Sequence, residues 1–144
     1  GNICYYASKG VGPLGETVAN DDPLNKTYQL NPVQYYYEFL LDVKGGKEGM
    51  VKFAAIVGVK DVNDPGNTWI DYQLVGTKWR VKPACQKPSC ALPSDFCGAY
   101  PGTRYIQMAQ LFGIGSNGFL DTICQSDFTD TMTRLGNFVA GVWP

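Results

Sequence analysis

Residues 31–58, NPVQYYYEFLLDVKGGKEGMVKFAAIVG, are the stretch from which the fold is predicted. Asn31 is a favoured helix cap and Pro32 suits the first helical position, so a helix is predicted to begin there. Apolar side chains then recur at three- and four-residue spacing and predict one buried helix face: Val33, Tyr36, Tyr37, Leu40 and Leu41. Gly45-Gly46 ends the helix. The apolar run 50–58 that follows predicts a strand buried on both faces, as in parallel sheets.

The rest of the chain extends this unit into an alternating pattern. TWIDYQLV and TKWRVK flank Gly76-Thr77 and predict a β-hairpin. Thr103 is expected to cap a helix over 104–112, a strand is predicted over 119–124, and Ser126 is expected to cap a helix over 127–139. Strands that alternate with helices favour an α/β fold with a small, partly parallel, Rossmann-like sheet and flanking helices. Within 1–144, residues 1–30 are a loop-rich lead and 59–100 an insertion with a cysteine loop.

Composition excludes several classes of function. The 144 residues carry 12 Lys and Arg against 13 Asp and Glu, a balance that argues against nucleic-acid binding. The absence of His excludes Ser-His-Asp and Cys-His catalysis and every metal site that needs imidazole. No apolar run is long enough for a membrane span. We therefore expect no catalytic activity, no nucleic-acid partner and no membrane span.

The five cysteines predict an exported protein with disulfides. Pairing is expected among Cys85, Cys90, Cys97 and Cys124. Cys4, distant in sequence, is expected to be free or to pair with another chain or segment. A four-thiolate zinc site is the alternative, although the spacing lacks a CxxC knuckle. The chain begins at Gly1 without a signal peptide, so we expect that a signal was cleaved or that the chain is the C-terminal part of a larger domain.

Candidate ligand-binding residues lie in the insertion. Trp69, Tyr72 and Trp79 form an aromatic set on or beside the predicted hairpin, which indicates a binding surface for a sugar or a protein or, alternatively, packing against the body. Asp61 and Asp64 supply carboxylates in the preceding loop, where calcium binding is an alternative to a solvated turn. The loops 59–67 and 125–127 follow predicted strands, and open α/β sheets bind ligands at the carboxyl ends of their strands.

Three segments resemble the second half of a bacterial cell-surface von Willebrand factor A (VWA) domain. They are YYYEFLLDVKGGKEGMVKFAAIVG at 35–58, PGTRYIQMAQLFG at 101–113 and FLDTICQSDFTDTMTRLGNFV at 119–139. The resemblance covers about 32–140 apart from the 59–100 insert. It implies an adhesion module whose family binds a divalent cation through a DxSxS motif on the first strand. That motif is absent here, so no metal ligand carries over and no cofactor is expected within this chain. The cation site is expected on a missing N-terminal part.

The sequence thus favours a non-catalytic, extracellular or cell-surface adhesion module that binds a protein or surface polymer. A second polypeptide segment is a further possible partner, because two core strands leave open sheet edges. Three alternatives stay open. One is a carbohydrate-binding module that uses Trp69, Tyr72 and Trp79. Another is a surface-fibre subunit with a paired sheet edge. The third is a secreted hydrolase with paired carboxylates, at Glu38 and Asp42 or at Asp127 and Asp130.

Overall fold

The computed structural model describes residues 31–87 and 97–142 of the chain. The predicted lead over 1–30, with Cys4, lies outside the described residues, as does Cys90. The helices are α1 (Val33–Val43), α2 (Thr103–Leu111) and α3 (Thr129–Ala140). The strands are β1 (Phe53–Val57), β2 (Tyr72–Val75), β3 (Lys78–Val81), β4 (Cys85–Gln86), β5 (Gly98–Ala99) and β6 (Gly118–Thr122).

The central sheet pairs β1 with β6 in parallel, although more than 60 residues separate the two strands. Phe53 lies opposite Gly118 at one end of the ladder, and Val57 lies opposite Thr122 at the other. Parallel strands need a crossover, and α2 supplies it by packing against both strands. The predicted α/β fold with a small parallel sheet, hairpins and a disulfide is confirmed.

The core lies between this sheet and α2. Ala55 and Leu120 pack there against Ile106 and Ala109, beside a second cluster around Phe112. Alpha-helix α1 packs on α2 and reaches the second cluster through Val33, Tyr37, Leu40 and Leu41, which are half-buried. The close approach of α2 to β6 requires a glycine, because a Cβ at Gly118 would lie 2.2 Å from the carbonyl oxygen of Ala109.

On the opposite face of the sheet, α3 covers β6. Phe138 is buried there and packs against Phe119, with ring centroids 5.7 Å apart. This helix packs against β6, and Ala54 of β1 is exposed on the same face. The prediction that β1 is buried on both faces is therefore wrong, because α3 is seated over its neighbour.

The predicted helix caps are also corrected. Helix α1 begins one residue after Pro32 and has no side-chain cap, so Asn31 does not cap it. Gly102 occupies the cap position of α2 because a Cβ there would lie 2.6 Å from Val57, and Thr103 is buried within the helix. Helix α3 begins at Thr129 rather than 127, and Ser126 does not cap it. The predicted end of α1 is confirmed, since both glycines at 45–46 have positive φ.

The insertion contains the predicted hairpin and is tied back to the sheet. Strands β2 and β3 pair antiparallel around Gly76, whose φ is 61°. Strand β4 follows and pairs with β5, and a disulfide joins Cys85 of β4 to Cys124, just beyond β6. None of the helices within the described ranges combines the length and apolar character needed to cross a membrane.

Candidate functional site

The loops that follow β1 and β6 leave the sheet at the same edge. Val57 and Thr122 are paired, and the Ile123 amide donates to the Val57 carbonyl at 3.0 Å. The Cys85–Cys124 disulfide brings the end of the insertion to this edge, and the Cys85 Sγ lies 3.3 Å from the Thr122 Oγ1. The predicted position of the loops 59–67 and 125–127 at the carboxyl ends of parallel strands thus agrees with the structure. This edge is where open α/β sheets bind ligands.

A cleft of about 120 Å³ lies beside the loop after β1, and we call it the Trp69 cleft. Its walls include Lys60, Asn67, Trp69, Asp71, Lys82 and Pro83. Trp69 is 51% exposed, and the Lys60 ammonium lies 4.9 Å from the centroid of its ring. The Lys82 ammonium is 3.5 Å from the Asp71 carboxylate. The cleft therefore combines an accessible aromatic ring with charges of both signs.

The carboxylates proposed as ligands, Asp61 and Asp64, hold the loop together instead. Asp61 accepts a hydrogen bond from the Asn63 amide at 2.8 Å. Asp64 accepts one from the Asn67 side-chain amide at 2.6 Å. Such bonds from Asp to nearby residues are typical of turns. Within residues 31–87 and 97–142, no three His, Cys, Asp or Glu side chains gather closely enough to hold a metal ion.

The other two aromatic candidates have different surroundings. Tyr72 is half-buried in β2, where its backbone pairs with Val81. The backbone of Trp79 pairs with Leu74 in β3, and its side chain lies outside the described part of the structure. Trp69 lines the cleft described above.

The described cysteines are oxidised. Cys85 and Cys124 form the disulfide, and Cys97 is also disulfide-bonded. These bonds use thiols that the zinc alternative requires as free thiolates. The pairing of Cys85 with Cys124 lies within the predicted set of four.

Most of the paired carboxylates have structural partners. Glu38 accepts a hydrogen bond from Gln34, one helical turn earlier on α1. Asp130 lies 2.9 Å from Arg134 Nε. Asp127 accepts hydrogen bonds from the amide and hydroxyl of Thr129 at 2.9 and 2.7 Å, and these bonds lower its pKa. The last arrangement stabilises the start of α3, which is a common role for Asp.

A buried polar network lies under α3 and was not predicted from the sequence. Asp121 of β6 is 4% exposed and accepts hydrogen bonds from the Thr122 amide at 2.8 Å and the Thr131 hydroxyl at 2.5 Å. Arg134 forms an ion pair with the same carboxylate, and Gln125 donates to Thr131 at 2.7 Å. The sequence feature that could have predicted this network is Asp121 in the middle of the apolar run FLDTIC. A carboxylate in a buried strand requires hydrogen-bonding or charged partners.

A groove between α1 and α2, which we call the α1–α2 groove, was also not predicted from the sequence. Its volume is about 490 Å³ and its lining is mainly apolar. Tyr36, Phe39 and Tyr105 line it and are 40%, 57% and 60% exposed. Tyr36 was predicted in the buried face, so that assignment is corrected. Successive helix residues point in directions about 100° apart, so the apolar residues of YYYEFLL lie on several sides of α1. Helix α2 covers one of these sides, and the others stay exposed.

The neighbouring Tyr37 does face the interior. Its ring meets that of Phe112 edge-on, with centroids 4.8 Å apart. Burial raises the pKa of Tyr37, and the Glu48 carboxylate raises it further. Tyr37 thus packs against the core, whereas its neighbour Tyr36 lines the exposed groove.

No family model, curated protein or solved structure matches the chain. We therefore infer its function from its own geometry and from the chemistry of the exposed side chains.

Proposed function

We propose that this chain is a non-catalytic, extracellular or cell-surface adhesion module of the VWA-like kind. The partner is an apolar protein segment that occupies the α1–α2 groove. The observation that carries this proposal is the exposure of three aromatic side chains along one groove: Tyr36, Phe39 and Tyr105.

The groove has the size and spacing of a peptide-binding site. Its volume of about 490 Å³ lies within the usual range for ligand sites, roughly 300–1,000 Å³. Tyr36 and Phe39 are one turn apart on α1, and Tyr105 and Met108 are one turn apart on α2. Rows of this spacing accept apolar side chains that repeat at the same interval in a partner helix. Clustered exposed aromatic rings are also typical of protein-binding surfaces.

Arg104 indicates the charge of the partner. It lines the groove, its guanidinium lies 5.6 Å from the Tyr36 ring, and it donates to the Asn31 carbonyl at 2.7 Å. A guanidinium has five N–H donors, so this bond leaves donors for a carboxylate. We therefore expect the partner segment to carry an Asp or Glu beside its apolar residues.

The proposed cellular location and the proposed VWA-like character each have one supporting observation. Disulfides persist in oxidising compartments, so the Cys85–Cys124 bond favours an exported protein. The parallel pair of β1 and β6, with α2 on one face and α3 on the other, agrees with the layers expected of a VWA-like half.

A peptide-display selection against the wild-type chain tests this function. Selected peptides are synthesised, and their binding is measured on wild-type protein, Phe39→Ser and Tyr105→Ser. Tyr100→Ser is the matched control, because Tyr100 is a tyrosine that is 55% exposed and does not line the groove.

The expected peptides combine apolar residues with a carboxylate, and each groove substitution weakens their binding about tenfold, as loss of an aromatic anchor usually does. Tyr100→Ser leaves their affinity unchanged. If no peptide is enriched, or if all three variants bind as the wild type does, the groove is not the binding site.

Carbohydrate binding through Trp69 is the second candidate function. It is favoured by the position of a half-exposed Trp in a cleft at the carboxyl edge of the sheet. Aromatic rings that are held in place and accessible bind the apolar faces of sugars.

A further inference from the structure

We propose that the Trp69 cleft binds one acidic sugar residue, a uronic acid, of an anionic polysaccharide. This inference rests on the second candidate function, since it names the class of sugar that Trp69 would contact.

The loop that carries Trp69 is held by hydrogen bonds before any ligand arrives. The preceding residue, Thr68, is 5% exposed, and its hydroxyl accepts a hydrogen bond from the Lys60 amide at 3.0 Å. Asn67 is fixed in turn by its bond to Asp64. The loop therefore presents about half of the Trp surface to solvent at little entropic cost, which favours binding of a rigid ring.

The charges in the cleft favour an anion. Two ammonium groups, of Lys60 and Lys82, accompany one carboxylate, that of Asp71. The ion pair between Lys82 and Asp71 is solvent-exposed, with both side chains 55% accessible, so a ligand carboxylate can compete for the lysine. Lys60 already lies over the Trp69 ring, where its ammonium can meet a carboxylate attached to a sugar on that ring.

Polar groups for the sugar hydroxyls are present beside these charges. The Asn67 side chain uses an N–H to bind Asp64, and its amide oxygen is a further acceptor. Asp71 also accepts hydrogen bonds. An aromatic ring, two ammonium groups and two oxygen acceptors together match a uronic acid, which has an apolar face, a carboxylate and several hydroxyls.

The volume of the cleft limits how much of a ligand it can hold and how tightly it can bind it. A volume of about 120 Å³ accommodates part of one sugar ring, and the rest of a polymer would lie in solvent. Contacts with one ring of this size give dissociation constants in roughly the millimolar range. Strong adhesion then requires many such contacts along one polysaccharide.

The test is an NMR titration of ¹⁵N-labelled protein with tetragalacturonic acid and with a glucuronate-containing hyaluronan tetrasaccharide. Each acid is compared with its methyl ester, which keeps the rings and removes the charge. The variants are Trp69→Ala and Lys82→Gln. The matched control is Lys44→Gln, an exposed lysine at the end of α1. Amide spectra of each variant confirm that it is folded.

We expect at least one acid to shift the amide resonances around the cleft and to bind about tenfold more tightly than its ester. Trp69→Ala abolishes binding of both forms. Lys82→Gln weakens binding of the acid alone, and Lys44→Gln changes neither. High salt reduces the preference for the acid, because it screens the two ammonium groups.

Other outcomes overturn the inference in distinguishable ways. If acid and ester bind equally and Trp69→Ala abolishes both, the charge preference is wrong but carbohydrate binding at Trp69 stands. If no probe binds, or if binding persists in Trp69→Ala, both the inference and the second candidate function are wrong. Neither result affects the α1–α2 groove, which uses other residues.

Discussion

Arg134 joins one buried carboxylate and one exposed carboxylate, and the difference between them tests how α3 is seated on the sheet. Its Nη2 binds Asp121, whose side chain is 5% exposed, and its Nε lies 2.9 Å from Asp130, whose side chain is 83% exposed. Asp121→Asn and Asp130→Asn each remove one carboxylate charge that pairs with the Arg134 guanidinium. The two positions differ in burial and in the hydrogen bonds from Thr122 and Thr131 that Asp121 also accepts.

The expected magnitudes follow from that burial. Loss of one partner from a fully buried ion pair costs about 3–5 kcal/mol. Arg134 is 40% exposed and can turn toward water, so we expect Asp121→Asn to lower the free energy of unfolding by about 2–3 kcal/mol. Asp130→Asn removes a surface pair one turn apart on a helix, which is worth about 0.3–0.5 kcal/mol.

Urea denaturation followed by far-UV circular dichroism measures both values. For a chain of this length, the expected losses correspond to melting temperatures lowered by roughly 7–10 °C for Asp121→Asn and 1–2 °C for Asp130→Asn. Added salt is expected to reduce the smaller effect and to leave most of the larger one. Equal, small losses in the two variants would refute the reasoning, because they would mean that Asp121 is solvated and that α3 does not cover it.

Three further predictions concern other parts of the fold. Replacing Cys85 and Cys124 together by Ser is expected to lower the free energy of unfolding by about 4 kcal/mol, from the 39-residue separation of the cysteines, and a loss below about 1 kcal/mol under non-reducing conditions would contradict this. Gly118→Ala is expected to cost about 1–3 kcal/mol in chemical denaturation, because its Cβ would collide with the backbone of α2, whereas an unchanged denaturation midpoint would contradict that contact. The pKa of Asp127 is lowered by its bonds to Thr129, so its contribution to stability is present above about pH 4 and is lost as the pH falls through its folded-state pKa. Asp127→Asn should therefore flatten the acid side of the stability–pH curve, and an identical curve would show that the Thr129 bonds do not form.

The candidate surfaces were only partly predictable. The sequence indicated Trp69 as one of three aromatic residues on or beside the predicted hairpin, but it did not indicate that Lys60 and Lys82 accompany it. Lys60 and Lys82 are 22 positions apart, and the hairpin between them brings both to one cleft. The α1–α2 groove was missed because helical spacing predicts an apolar face without showing how much of it a neighbouring helix covers.

Local rules in the sequence determined the secondary structure. Apolar spacing and glycine positions placed the three helices, the hairpin and the two central strands close to their observed positions, because these signals act over a few residues. Tertiary structure decided which helix faces are covered, where the helices are capped, and which cysteines pair. Gly102 replaces the expected cap of α2 because the Val57 side chain occupies the space of a Cβ. Asp121 is buried because α3 lies over β6 and supplies Thr131 and Arg134 as partners. These outcomes depend on contacts between residues far apart in the chain, which local spacing does not encode.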